Sequence, residues 1–520
     1  MEQVTLEFER LLSHESLPQR HVAVIGAGIA GLVAAHTLAL LGQTVTVFEA
    51  SPRVAGRILT HRYAGQHAEL GAMRIPESHQ YTLFYCRALS LPLEPFVNSD
   101  RNAFYRLRGK TISLREPARL AELFDLTEAD SGLVARAPAL VLLKFVDAML
   151  AGLSEDDRAH IVSGDIAHAS PAVQSLDAIS VRDYLLSNAE ALDSNREGVE
   201  MIGSAIYLRE VWQSSCVALL REFLNHRDNP CQVAAGMEAL PQGLARRLGE
   251  EFPERVTIHR ATPVTGIRID PSRAEPITLT FAEATGRPQA TFTHALCTLP
   301  FPVLRHMVLE GFSAGKCTAI DQFRYAASTK VLLNFRRRFW EAQSAPIHGG
   351  ASITDQIAGQ IFYPSSPDAP VVRVHPLPVQ YPSFEPDPVF PERTPSAGEG
   401  PGVVIGSYAW GSDARRLAAL PAEARIETVR RCLAEIHGSD VDAYFDGGAS
   451  MAWETHRWSG GAFSQPGVRG LALYRDAAMR PEHTLHFSGE HLSADPGWIQ
   501  GSISSTWRAL AALIGDLTRY

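Results

Sequence analysis

His21 to Arg57 reads HVAVIGAGIAGLVAAHTLALLGQTVTVFEASPRVAGR, and this stretch decides the fold. Val22, Val24 and Ile25 form a β-branched run with no polar face, the pattern of a strand buried on both sides of a parallel sheet. Gly26, Gly28 and Gly31 follow at once. The first permits a tight turn, the second lets a pyrophosphate approach the backbone, and the third lets a helix pack closely on the strand. The helix start, around Ala30, presents unpaired N–H groups and a positive dipole end to that phosphate. Ala35, Leu38 and Gly42 continue and end the helix, and Val45 and Val47 open a second strand. Glu49 closes it about twenty residues after the glycines, where a carboxylate accepts from ribose hydroxyls and repels a 2′-phosphate. The ligand implied is an adenosine dinucleotide without that phosphate.

Size and composition narrow the rest. A chain of 520 residues supports two or three domains around sizeable cores. A net charge of −9 with no basic run disfavours nucleic acid and anionic membrane as partners. The start, MEQVTLEFERLLSHESL, lacks the basic and apolar regions of a secretory signal and reads as a short amphipathic helix. The longest apolar run, Ala135 to Leu153, is broken by Arg136, Lys144 and Asp147, so no membrane span is expected. Cys86, Cys216, Cys231, Cys297, Cys317 and Cys432 are scattered without CxxC spacing, which predicts reduced thiols, a cytoplasmic location and no metal site.

After Glu49 and Ala50 the chain turns through Arg53, Gly56 and Arg57. This resembles the flavoprotein amine oxidase superfamily, in which a Gly-Gly-Arg turn returns an arginine to the diphosphate; here Ala55 stands at the first glycine. Residues 68–76, AELGAMRIP, resemble the L-amino acid oxidase branch. The resemblance implies that Gly71, Ala72 and Met73 pass the flavin and that Arg74 binds the substrate carboxylate. A planar guanidinium can grip a carboxylate through two parallel hydrogen bonds. Val233-Ala-Ala-Gly-Met-Glu-Ala-Leu-Pro resembles the family's GGMxxLP turn, and ITLTF with ATFTHALCTLP around Thr285-Gly286 suggests a β-meander over the adenine; the resemblance implies that Val264 holds the adenine through its backbone.

Ser328-Thr-Lys-Val-Leu-Leu-Asn-Phe335 is an apolar strand with one charge at its head. The family has a lysine in this string, holding a water against flavin N5, and Lys330 takes that place. Ile361-Phe-Tyr-Pro-Ser365 resembles the family's IYYPS, whose tyrosine assists the arginine. Tyr363 is assigned that role, with Phe362 as the other ring that could align. His456 to Phe463 resembles the loop through which some amine oxidases attach flavin to a cysteine. It has no cysteine, so non-covalent FAD is expected. Finally Leu485-His-Phe-Ser-Gly-Glu-His, with Pro496-Gly-Trp-Ile499, resembles the second half of the flavin fingerprint. Gly489 and Glu490 would meet the diphosphate or ribityl chain. Gly497, Trp498 and Ile499 would start a helix aimed at the ring, with Trp498 walling the substrate pocket.

The expected architecture is α/β, α+β overall. A Rossmann-type FAD domain is built from residues 16–72, 228–305 and 480–520; a mixed-sheet substrate domain from 73–115 and 306–479; and a helical subdomain from 116–227. The proline-rich segment 364–401 cannot build a core, and both a lid over the substrate mouth and a surface insertion stay open. The function implied is oxidative deamination of an L-amino acid to the imine and then the 2-oxo acid, with ammonia and H2O2 released and O2 as co-substrate. An amino acid 2-monooxygenase, an amine or polyamine oxidase and a non-catalytic flavin-binding module are the alternatives. An NAD-only dehydrogenase is disfavoured by the C-terminal fingerprint. A homodimer or higher homo-oligomer is the general expectation.

Overall fold

The computed structural model describes residues 2–14, 17–225, 230–365 and 398–519. The expected lid therefore lies almost wholly outside the described residues.

Strand His21–Ile25 is the centre of a five-stranded parallel sheet. On one side it pairs with Thr44–Phe48 and that strand with Val256–His259; on the other it pairs with His294–Cys297 and that strand with Leu485–Phe487. Helix Ile29–Leu40 is buried over nearly its whole length, because the sheet lies on one side and helices Ala239–Glu251 and Ile499–Leu517 on the others. That explains why its sequence is apolar all round rather than striped. Its closest point is at Gly31, where a Cβ would stand 1.9 Å from the carbonyl oxygen of Gly26. Gly28, by contrast, caps the same helix with no atom within 4 Å of a notional Cβ.

The chain between 256 and 297 departs from expectation in one respect. The string ATFTHALCTLP is not one meander strand but two elements. Gln289–Phe292 closes an antiparallel meander with Ile277–Phe281 and Val264–Ile269, and His294–Cys297 then inserts into the parallel sheet beside His21–Ile25. Val256–His259 likewise joins the parallel sheet rather than the meander.

A seven-stranded mixed sheet forms the second layer system, in the order Phe445–Ala452, Ser328–Phe335, Gly402–Trp410, Gln360–Phe362, Ala351–Thr354, Phe104–Leu107, Lys110–Ser113. All pairs are antiparallel except Ala351–Thr354 with Phe104–Leu107. All eight residues of Ser328–Phe335 are buried, as a central strand requires. Seven α-helices between Glu128 and Asn225 surround their own core of Phe145, Val146, Ile202 and Leu220. Ser154 and Asp157 form a capping box at one of their starts. The amphipathic N-terminal segment is a helix, Glu2–Leu12, whose Phe8 stacks on Trp507 at 5.0 Å. Among the described residues no helix is long and apolar enough to cross a membrane, and no group of three or more His, Cys, Asp or Glu could hold a metal ion.

The two glycines make a paired test of this packing. Gly31→Ala forces the helix off the strand and should destabilise the FAD-free protein by about 1–3 kcal/mol in urea melts. Gly28→Ala should leave that stability within about 0.5 kcal/mol and weaken FAD binding at least about tenfold, read by flavin fluorescence.

Candidate active site

A long cleft runs along the carboxyl ends of the parallel strands, where open α/β sheets place their ligands. It holds about 1480 Å³ of empty space, its open mouth included. At one end, Gly26, Gly28 and Ala30 border it with the start of the glycine helix. Glu49 sits beside them: its carboxylate accepts from the Ala27 N–H (2.7 Å) and the Ser51 N–H (2.8 Å), which fixes both oxygens at the rim. Burial raises its pKa while those N–H groups and Arg53 oppose the rise. Ala50 and Val264 complete this end.

The turn after the second strand is strained. Ala55 adopts φ 91°, a left-handed angle that a side chain disfavours, followed by Gly56 at 56°. The Ala55 N–H is tied to the Ala27 carbonyl at 2.9 Å, so the turn lies directly on the glycine loop. It delivers Arg57 to the middle of the cleft. Arg57 Nη1 donates to the Ala462 carbonyl (2.8 Å) and to Glu490 Oε1 (2.7 Å). Glu490 also accepts from Ser464 N–H and O–H and from the Gly497 N–H. Burial works to raise the Glu490 pKa, yet Arg57 and these donors bring it below the ordinary glutamate value.

At the far end Gly71, Ala72, Lys330, Trp498 and Ile499 border the cleft, and helix Ile499–Leu517 points its N-terminus into it. Lys330 is 2% exposed. Its Nζ donates to the carbonyls of Gly71 (2.7 Å) and Glu69 (3.1 Å), contacts Met73 Sδ at 3.3 Å and lies 4.4 Å from the centre of the Tyr408 ring. Burial lowers its pKa to about 7. Arg74 stands just outside, half-buried, with its guanidinium 5.9 Å from the Phe96 ring and 5.8 Å from the Trp498 ring and donating to Asn98 Oδ1 at 2.8 Å. Burial lowers its pKa, while Tyr408 and Glu222 act to raise it.

Most of the residues anticipated from the sequence thus gather along one cleft, but four do not line it. Gly31 faces the strand as packing. Met73 is buried, its sulfur against Lys330. Arg74 sits beyond Trp498 and so borders the region next to the ring chamber rather than the chamber itself. Tyr363 is a correction: its hydroxyl bonds His437 Nε2 (2.7 Å) and Ser352 Oγ (3.0 Å), in the core that holds Phe339 and Trp340. Phe362 takes the opposite face of the sheet, between Phe96 and Tyr408. The tyrosine that does border the cleft near Arg74 is Tyr408, from strand Gly402–Trp410. Sequence reading also missed Thr298 and Trp453, and it placed the loop His456 to Phe463 near the flavin without naming His456, Trp458 and Phe463 as lining residues. Thr298 was detectable: it directly follows a strand of the parallel sheet, and its hydroxyl bonds the Ile25 carbonyl at 2.8 Å.

The cleft's donors match FAD. A helix start and Arg57 suit the diphosphate, Glu49 suits a ribose, a second helix start suits the electron-rich end of the flavin, and a Cβ at Gly28 would project into the space. Residues 29–514 match the sequence profile of the flavin containing amine oxidoreductases. The chain belongs to that family. It is therefore a flavin-dependent oxidoreductase with FAD as cofactor. It is 30% identical over 517 residues to a flavin-dependent L-tryptophan oxidase of Lentzea aerocolonigenes, covering 95% of this chain and 98% of that one. An L-amino-acid oxidase of Siganus canaliculatus is 28% identical over 520 residues, covering 97% and 88%. Among solved structures, cyclohexylamine oxidase from Brevibacterium oxydans superposes with a TM-score of 0.70 at 18% identity, covering 96% of this chain and all of the other, so the two share the fold.

The Arg57–Glu490 pair sets an acid limit. Glu490→Gln leaves Arg57 without its counter-charge and should cost the FAD-free protein about 3 kcal/mol at pH 7. Because the Glu490 pKa is lowered in the folded state, its contribution is present above the unfolded glutamate value and is lost as pH falls through the folded one. Urea melts at falling pH should show a smaller acid loss in the variant than in the wild type.

Proposed function

We propose that the protein oxidises L-amino acids: the α-amine becomes an imine that hydrolyses to the 2-oxo acid and ammonia, and O2 is reduced to H2O2. The observation that carries this reading is the position of Arg74. A guanidinium held by Asn98 between two aromatic rings, next to the end of the cleft where Lys330 and Trp498 stand, is a receptor for a carboxylate. An amine without a carboxylate gives that cation no partner. The activities named for the relatives from Lentzea and Siganus support the same substrate class.

When bound, FAD supplies the two-electron acceptor and the route to O2. The protein supplies orientation. Bidentate contact from Arg74 fixes the direction of the α-carbon as well as its distance. Trp498 and Phe96 form the walls and exclude water around the ion pair, which strengthens it. Tyr408 lies within electrostatic reach of Arg74 and takes the assisting role first assigned to Tyr363. The neutral form of the α-amine is the one oxidised, so no strong base is needed. The scattered cysteines, without CxxC spacing, support a reducing compartment, such as the cytoplasm.

Three measurements test this. Peroxide release with the twenty amino acids and their decarboxylated amines should favour the acids; equal rates with the amines would overturn the reading. Arg74→Ala should retain FAD and lose kcat/KM by about 10²-fold or more, as expected for a lost charge-assisted, orienting contact. Tyr408→Phe should lower kcat/KM by about tenfold, whereas Tyr363→Phe should leave it within about twofold, since its hydroxyl faces His437 and not the cleft.

A further inference from the structure

Lys330 poses an electrostatic problem. Its amine is enclosed by two backbone carbonyls, a thioether and an aromatic face, all of them neutral. A buried ammonium surrounded only by dipoles needs a charge of opposite sign nearby, or it gives up its proton. The residue that supplies one of those carbonyls, Glu69, also carries a carboxylate, and that carboxylate is itself 5% exposed. It is held from its other side. Thr60 Oγ1 donates to it (2.9 Å) and so does the Met237 N–H (2.9 Å), from a neighbouring strand and from the turn before helix Ala239–Glu251.

We propose that Glu69 is a positioning residue that acts through Lys330: its buried carboxylate is the counter-charge that determines whether the amine bordering the cleft carries a proton. Three features separate this from a merely structural carboxylate. Glu69 touches Lys330 through its own carbonyl, and its carboxylate is anchored by Thr60 and the Met237 N–H, so the charge is held on the residue that contacts the amine. The other charge acting on Lys330 is Arg74, which favours the neutral amine, so Glu69 alone opposes it; Tyr408 presents a ring face. Around Glu69 the charges are Lys330 and Glu238, and Glu238 disfavours the anion. Burial raises Glu69 to about 7 just as it lowers Lys330 to about 7, so the two groups titrate in the same interval and are coupled through one another. The consequence is a site whose charge beside the ring chamber switches near neutrality. Substrate carboxylate arriving at Arg74 cancels the cation that discourages Lys330 protonation, so binding and proton uptake are linked.

This rests on the reading of the cleft as an FAD site, and its test needs no turnover. Oxidised, FAD-loaded protein without substrate is titrated from pH 5.5 to 9 while the visible flavin band is followed, since a nearby charge moves that band. Wild type should show a spectral step near neutrality, and in Lys330→Met it should move to higher pH, where Glu69 titrates without the cation that favours its anion. Glu69→Gln keeps acceptors for Thr60 and Met237 but removes the charge, and its step should move to lower pH by about one unit or more, because a lost opposite charge makes the ammonium easier to deprotonate. Thr60→Val, which removes one donor from the carboxylate and leaves Lys330 untouched, should move the step the same way by less, and it carries the test should Glu69→Gln not fold. A step that stays in place in the folded, FAD-loaded variants, Lys330→Met included, overturns the proposal, as does one that is missing from the wild type. Failure of every amino acid to bleach the flavin would overturn the proposed function and leave this result standing. A protein that binds no FAD would overturn both.

Discussion

The ion pair between Arg57 and Glu490 joins groups 433 positions apart, and the rest of the cleft depends on it. One side chain leaves the strained turn that follows the second strand; the other leaves the turn just after the strand that completes the same sheet. Their side chains are 24% and 5% exposed, so the pair is largely desolvated, and Ser464 and Gly497 satisfy the remaining oxygen. Desolvation makes such a pair a poor source of net stability and a strict judge of geometry. Only one arrangement of the glycine turn, the aromatic loop near Ala462 and the second helix start meets all of its hydrogen bonds at once. The pair therefore defines where the two halves of the fingerprint meet.

Motifs made of consecutive residues were legible in the sequence, because their chemistry is local. A strand, three glycines and an acidic residue place Gly28 and Glu49 on one rim without any knowledge of the remainder. The string ELGAMR places Gly71 and Arg74 at the other end for the same reason. What could not be read was which partner a distant strand presents. In Gln360–Phe362 and the residue after it, side chains alternate between faces, so a shift of one residue exchanges a hydroxyl in the cleft for one in the core. Phe362 faces Tyr408, and Tyr363 faces His437. The tyrosine near Arg74 comes instead from Gly402–Trp410, whose sequence GSYAW advertises a strand and nothing more. The division of ATFTHALCTLP between two sheets was hidden for a related reason: both halves are apolar and β-branched, and only their partners differ.

The aromatic loop from Trp453 to Phe463 illustrates a different limit. Its place was inferred from resemblance, and its lack of a cysteine says how FAD is not attached but not what the loop does. In the structure Trp453 Nε1 donates to the Leu70 carbonyl at 2.9 Å, so the loop is anchored to the same segment that carries Glu69 and Arg74. His456 is locked by Ser459. Trp453, which borders the cleft, is thus fixed through a backbone carbonyl of the ELGAMR segment. Lys330 reads that same segment from the opposite strand.

The parallel sheet draws its strands from positions 21–48, 256–297 and 485–487, with the helical region and most of the mixed sheet threaded between them. On a ribosome adding about 5–20 residues per second, the opening strands emerge roughly 20 to 90 seconds before their last partner. From its own emergence until then, roughly 10–40 seconds at that rate, the edge of His294–Cys297 that will receive Leu485–Phe487 is bare backbone, able to pair with another nascent chain. Newly made protein is therefore most exposed to misassembly late in synthesis. Supplying riboflavin cannot relieve that hazard, because the pocket is not closed until the final strand docks; a chaperone that shields the growing sheet can.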